Sequence, residues 1–221
     1  LLNWINTLIV KLLRLDNKMA IISLVTMKGG SGKTTLATSL AGYWFKTGKS
    51  VRFIDTDPAL TAWRLKQIGK GFNGIEFRKG LQQLEAEVGE SKKSGIERTI
   101  IDTPGFETED LKESIKCSDL ILVPVRPSPL DFQVAIDTFS LINEVIDKKS
   151  KKIVRLVITQ SNKNSIIAKQ MRLDMTRANL PVCDTHISAR VAFAEAALAS
   201  STPSFSQPAS KAALEIEQLA L

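Results

Sequence analysis

Short runs of β-branched and other apolar residues alternate along the chain with longer stretches whose apolar positions recur every three or four residues. The runs Ile21 to Thr26, Val51 to Asp55, Thr99 to Asp102, Leu120 to Val125 and Ile153 to Thr159 are nearly unbroken in their hydrophobicity. Unbroken runs suit strands covered on both faces, and their alternation with helical segments predicts a parallel sheet with helices as crossovers. After the first run, Leu36, Leu40, Tyr43 and Trp44 stand at helical spacing. They predict a helix from near Lys33 that stops before Gly48, a natural C-terminal cap. Gly71 to Gly74 and Lys92 to Gly95 read as loops. Ser200 to Ser210, rich in serine and proline, reads as a surface connection to a last helix from about Lys211. The expected architecture is a single α/β domain over residues 19–221, a mostly parallel, doubly wound sheet flanked by helices.

Residues 1–18 stand apart from this pattern. Leu1, Ile5, Leu8, Leu12 and Leu15 recur at three- and four-residue spacing, which predicts an amphipathic helix too short to span a membrane. Two readings stay open: an interfacial helix, or upstream sequence preceding a start at Met19.

Composition narrows the class. Of 221 residues, 43% are hydrophobic and 24% charged, the balance of an ordinary soluble globular protein. Cys117 and Cys183 lie far apart without neighbouring histidines, which fits reduced packing thiols in a cytosolic protein. The net charge of +7 is concentrated between Lys151 and Arg190, where Lys151, Lys152, Arg155, Lys163, Lys169, Arg172, Arg177 and Arg190 face only Asp174 and Asp184. Such an excess attracts a polyanion such as DNA, or else forms a solvated basic face.

The candidate chemistry begins between the first strand and its helix. Lys28, Gly29, Gly30, Ser31, Gly32, Lys33, Thr34 and Thr35 form a glycine-rich loop whose backbone N–H groups can close round phosphate oxygens without side-chain obstruction. Lys33 is placed to reach the β- and γ-phosphates of a nucleotide, and Thr34 to ligate Mg²⁺. The strict pattern Gly-x-x-x-x-Gly-Lys-Thr fails at its first position, occupied by Met27, and Lys28 adds a second lysine instead. Asp57 and Asp102 follow neighbouring strands and are expected at the carboxyl edge of the sheet, where nucleotides bind in open α/β folds. Asp55 is the weaker candidate, with capping of a loop or helix as its alternative role.

A lysine followed by Gly-Gly-Ser-Gly-Lys-Thr-Thr resembles the deviant Walker A loop of the ParA/MinD family of P-loop ATPases. Phe53 to Pro58 looks like that family's second phosphate-sensing segment, and Ile100 to Gly105 like its Walker B and switch II. Pro124 to Phe132 is similar to the proline-rich stretch of small partition ATPases, and Arg190 to Ala196 and Ser210 to Ala213 resemble further family segments. The likeness runs from Met19 to Leu221. It departs at Ala59, where glutamine is common, and in lacking a glycine after Glu195-Ala196.

The resemblance implies an Mg²⁺-dependent ATPase. Thr34, Asp57 and Asp102 would make up the metal site, Asp102 holding a water on the ion; Asp57 would also orient or deprotonate the attacking water, and Lys28 would reach the nucleotide of the opposite subunit in an ATP-bound homodimer. It further implies a cytoplasmic, nucleoid-associated protein whose ATP dimer binds nonspecific DNA through Arg190, with Lys151, Lys152, Lys169, Arg172 and Arg177 as companions. A ParB-type centromere-binding partner would stimulate hydrolysis. The alternative is a MinD-like ATPase that positions a protein assembly or cycles on a membrane. A basic membrane anchor is not expected, because Ala212 to Leu221 carries Glu215 and Glu217 and no basic residue. A metabolic ligase or kinase shares the loop class, whereas an iron-sulfur reductase needs clustered cysteines that this chain lacks. Thr159, Gln160 and the loop that follows are the expected contacts for the adenine base.

Overall fold

The computed structural model describes residues 19–147, 150–162 and 165–221; the segment 1–18 and Lys163 lie outside the described residues. Strands β1 (Ala20–Leu24), β2 (Val51–Asp55), β3 (Glu76–Lys79), β4 (Arg98–Asp102), β5 (Leu120–Val125) and β6 (Ile153–Ile158) form one sheet in the order β3-β2-β4-β1-β5-β6. Every neighbouring pair is parallel. Five strands coincide with the hydrophobic runs. The pattern misses β3 because, of Glu76, Phe77, Arg78 and Lys79, only Phe77 is buried. It is an edge strand, where charged side chains discourage further pairing. Buried Arg52 on β2 holds it through Glu76 at 2.9 Å.

The helices are α1 (Lys33–Lys46), α2 (Thr61–Ile68), α3 (Leu84–Lys93), α4 (Glu109–Cys117), α5 (Pro129–Val145), α6 (Ile166–Arg177), α7 (Val191–Leu198), the short α8 (Pro203–Ser206) and α9 (Lys211–Ala220). Successive strand residues face opposite sides of the sheet. Ile22, Leu24, Phe53, Ile100 and Leu122 point to one face, where Leu36, Leu40 and Trp44 of α1 and Ile216 of α9 cover them. Ile121, Val123 and Ile158 point to the other, against α4, α5 and α6. On that same face Ile54 and Ile101 meet Leu84 and Val88 of α3. Both faces are therefore dry, which explains the unbroken runs.

Strand order fixes where a ligand can enter. The connection leaving β1 runs toward β2 and the one leaving β5 runs toward β6, so the adjacent carboxyl ends of β1 and β5 are left uncrossed, as at the nucleotide crevices of open parallel sheets. The register puts Leu24 beside Asp102, and Asp102 beside Asp55.

One expectation is corrected here. The segment Ser200 to Ser210 lies on the surface only in its second half: Ser200, Thr202, Pro203 and Ser204 are buried, whereas Phe205, Ser206, Pro208 and Ala209 are exposed. It presses onto backbone that has no Cβ: a methyl group at Gly42 of α1 would stand 2.3 Å from the Thr202 hydroxyl oxygen, and one at Gly71 2.3 Å from the Ser200 carbonyl oxygen. Serine and proline are here compact packing residues, which composition alone could not distinguish from a loop. Cys117 and Cys183 are free, half-buried thiols, both raised in pKa by burial, Cys183 to about 11, as fits a packing role.

Two glycines test this packing in opposite directions. Gly42→Ala gains helix propensity but drives a methyl into Thr202, and overpacking should lower stability by about 1–3 kcal/mol. A methyl at Gly89, within α3, meets nothing within 4 Å. Gly89→Ala should therefore raise stability by about 0.5–1 kcal/mol. Urea melts of the two variants should move to opposite sides of the wild-type midpoint.

Candidate active site

The loop that leaves β1 turns through two glycines with positive φ, Gly30 at 75° and Gly32 at 95°, before α1 begins at Lys33. Only glycine adopts such angles without strain, and alternating them curls successive backbone amides round a concavity. Gly29 and Gly30 are exposed, and a Cβ at Gly29 would meet nothing within 4 Å, so the outer side of the loop is open. Gly105, after β4, closes its inner side: a Cβ there would lie 2.8 Å from the Gly29 nitrogen.

Lys33 is buried, and its ammonium donates to the Lys28 carbonyl at 3.1 Å. Burial lowers its pKa, while the charges of Asp102 and Asp57 work the other way. Asp102 is the counterpart. Its carbonyl accepts from the Thr56 amide and hydroxyl, both at 2.9 Å, which pins the residue at the strand end. Its side chain is 1% exposed and neither carboxylate oxygen has a well-formed hydrogen bond. Burial pushes its pKa up to about 7, against the opposing pull of the nearby Thr34 hydroxyl and, after the repulsion of Asp55, of Lys33.

Asp57 is half-buried and near enough to both Lys33 and Asp102 for its charge to be felt by each. One of its oxygens accepts from the Ala59 amide at 2.8 Å. Asp55 has the capping role: its carboxylate accepts from the backbone amides of Asp57 and Trp63, at 3.1 and 3.0 Å, and so ties β2 to α2.

Lys28 points away from this cluster. Its ammonium is 2.9 Å from Asp131, near the start of α5, and Arg126 reaches the other oxygen of the same carboxylate at 3.1 Å. Ser128 caps α5 and also bonds to Asp131. Burial disfavours that carboxylate, yet the bonds from Ser128, Lys28 and Arg126 outweigh it and hold the pKa below the ordinary value. The Ser-x-x-Asp spacing announces a helix start, but nothing in the sequence ties position 131 to position 28.

Thr159 and Gln160, at the end of β6, touch the loop directly. The Thr159 hydroxyl donates to the Ser31 carbonyl at 2.7 Å and the Gln160 amide to the Gly30 carbonyl at 2.9 Å. They also line a cavity of about 490 Å³ beside the loop, with Gly32, Thr35, Leu36, Ile187, Arg190 and Phe193 in its wall. This mostly apolar, open space has the character of a base pocket.

Among the described residues, the basic side chains of the Lys151 to Arg190 segment do not form one face. Arg190 lines that cavity and is paired with Glu215 of α9, which also accepts from the Ser188 amide and hydroxyl. Lys169 is exposed in the first turn of α6, on the carboxyl side of the sheet. Lys151 and Lys152 precede β6 at the opposite edge, where Lys152 donates to the carbonyls of Lys116 and Ser118, both at 2.6 Å. Arg177 closes α6 near that same edge, 3.4 Å from Asp174. Arg172 is spent on the carbonyls of Cys183 and Asp184. The structure thus gathers Lys33, Thr34, Asp57 and Asp102, and disperses the cations.

Residues 19–200 match the VirC1 protein family. The protein virC1 of Rhizobium rhizogenes is 26% identical over 183 residues, covering 80% of this chain and 79% of that protein. The maintenance of carboxysome distribution protein A of Halothiobacillus neapolitanus is 25% identical over 201 residues, covering 82% and 85%. In fold, the MinD cell division protein of Aquifex aeolicus is similar at a TM-score of 0.72 and 16% identity, covering 91% of this chain and 95% of that one.

The Asp102 environment has a measurable consequence without any ligand. Its folded pKa of about 7 exceeds the ordinary 3.8, so the folded state holds this proton more tightly than the unfolded one. The stability it contributes is present at low pH and is lost as pH rises through about 7, leaving a buried charge. Asp102→Asn should therefore melt several degrees above wild type at pH 8, at about 2–4 °C per kcal/mol. The difference should shrink by pH 5, and calorimetry at the two pH values reads it.

Proposed function

The chain belongs to the VirC1 family, among the ParA/MinD-type ATPases, and on that premise we propose that it hydrolyses ATP as a nucleotide-dependent homodimer that partitions cargo over nonspecific DNA. The observation that carries this is the pairing of an open glycine loop with a buried carboxylate, Asp102, that lies beside Lys33 and Thr34 and lacks a well-formed hydrogen bond. An orphaned carboxylate next to a hydroxyl at a phosphate loop suits Mg²⁺, which takes few protein ligands and fills its shell with phosphate oxygens and water. Thr34 and Asp102 would hold the ion, Asp102 through water. Mg²⁺ would supply neutralisation of charge on the phosphates.

In this assignment Gly29 to Thr35 receive the phosphates, Lys33 stabilises charge on the β- and γ-groups, and Asp57 orients the attacking water. Lys28 acts across the dimer, and must first leave Asp131. That carboxylate keeps Arg126 and Ser128 as partners when Lys28 departs, so the exchange strands no buried charge. Dimerisation and nucleotide state are then one equilibrium, and a ParB-type centromere-binding partner would act by shifting it.

A cargo other than DNA is favoured by one observation, the similarity to the carboxysome distribution protein across most of both chains. Such a protein would use the same ATP dimer to position a protein assembly. Among the described residues no helix is long and apolar enough to cross a membrane. The last helix, α9, is committed to the fold through Ala212, Ala213, Ile216 and the Glu215–Arg190 pair.

Two measurements test the proposal. Wild type should sediment as a dimer with a slowly hydrolysed ATP analogue and Mg²⁺, and as a monomer with ADP. Lys28→Ala should stay monomeric and lose most of its hydrolysis; a variant that dimerises and hydrolyses like wild type contradicts the role of Lys28. ATP-dependent binding to random-sequence duplex should fall about tenfold or more between 50 and 200 mM salt, if several phosphates are contacted. Lys169→Glu should weaken it. Lys169 is a cleaner probe than Arg190, whose removal leaves the partly buried Glu215 charge with only Ser188 as partner. Binding that ignores ATP or salt counts against the DNA arm.

A further inference from the structure

Two residues at the end of β6 hold the phosphate loop from behind. Thr159 is itself fixed by the hydrogen bond its amide donates to the Val125 carbonyl at 2.8 Å, and its buried hydroxyl donates to the Ser31 carbonyl. Gln160 takes the Gly30 carbonyl, and since the acceptor is a carbonyl only the amide nitrogen can serve. Beyond them the chain is clamped again: the Ser161 amide donates to the Ile187 carbonyl at 3.3 Å and the Ala189 amide to the Ser161 carbonyl at 3.0 Å. Gln160 is thus caught between two fixed points, with φ at +50°, in the left-handed region that glutamine seldom occupies.

The consequence follows from peptide geometry. Among the described residues no peptide bond is cis, and in a trans peptide the N–H points opposite to the C=O. Drawing the carbonyls of Gly30 and Ser31 toward β6 therefore turns the next amides, of Ser31 and Gly32, away from β6. These are amides of the glycine loop that an anion would meet. Gly32 is also where the clamp comes closest, since a Cβ there would lie 3.5 Å from the Gln160 amide nitrogen.

We propose that Thr159 and Gln160 are positioning residues that set the phosphate loop in its anion-receiving form before any nucleotide arrives, and that the left-handed backbone at Gln160 is the strain this arrangement stores. The inference rests on the phosphate-loop reading above. It differs from the sequence-based expectation, in which the same two residues contact the base.

The strain supplies a test that separates positioning from mere bracing. Gln160→Gly removes the side-chain clamp and relaxes the backbone, so its Tm should equal or exceed that of wild type while nucleotide affinity falls. Titration with fluorescent ATP and ADP analogues in Mg²⁺ should show dissociation constants raised about three- to tenfold for Gln160→Gly and Thr159→Val, the loss of one hydrogen bond. Thr159→Ser should bind like wild type, and kcat at saturation should change less than KM. Inorganic tripolyphosphate, which has no base, should lose the same factor as a competitor in both weakened variants. Equal affinity in Gln160→Gly, Thr159→Val and wild type overturns the inference and leaves the loop assignment standing. So does a loss confined to nucleotides and absent for tripolyphosphate, which would make these residues base contacts, or a lowered Tm in Gln160→Gly, which would make the side chain a brace. A folded wild type that binds neither nucleotide nor tripolyphosphate overturns both the inference and the phosphate-loop reading.

Discussion

A carboxylate buried at the end of β4 with no well-formed hydrogen bond is costly unless positive charge meets it, and the candidate site is arranged around that cost. Asp102 cannot withdraw, because Thr56 pins its backbone. Lys33 meets it only in part, being drawn also to the Lys28 carbonyl and lowered in pKa by the same burial. The free protein is thus left with a carboxyl that ionises near neutrality and a cation held close by. Stability is given up where a divalent ion and phosphates would restore the balance, as is common where sites are built before their ligands arrive.

The parallel sheet makes this possible. With β1 between β4 and β5, the loop after β1, the aspartate ending β4 and the turn after β2 share one edge, each at the start of a segment that leads into a helix. The loop is then held on three sides: by Gly105 beneath Gly29, by Thr159 and Gln160 behind Gly30 and Ser31, and by Asp131 at Lys28. Of these only the last is an ion pair.

Much of this was legible in the sequence. Hydrophobic runs located five strands because dry faces demand continuous apolar residues, and the glycine-lysine-threonine order located the loop. What escaped had physical reasons. Edge strand β3 carries three charged residues of four, so no run marks it. The start of the Ser200 segment, to Ser204, is polar in composition yet mostly buried, because glycines on α1 and after α2 let its backbone approach. Asp131 meets Lys28 across 103 residues, and no local spacing encodes such a contact. The basic segment is compact in sequence but is folded along β6 and back along α6, which carries its charges to opposite edges. Sequence reasoning expected Thr159 and Gln160 at the adenine base; in the fold their side chains bond to the Ser31 and Gly30 carbonyls, and which way they reach is a matter of tertiary structure.

The most direct measurement is proton linkage on binding. Titration calorimetry of Mg²⁺ and a nonhydrolysable ATP analogue at pH 7, repeated in buffers of different ionisation enthalpy, counts the protons released. If Asp102 ionises near pH 7 and must be charged to serve the ion, wild type should release up to about half a proton more than Asp102→Asn. Equal proton release by the two proteins, or tight Mg²⁺-dependent binding that is indifferent to Asp102, would contradict the assignment of this carboxylate as the centre of the site.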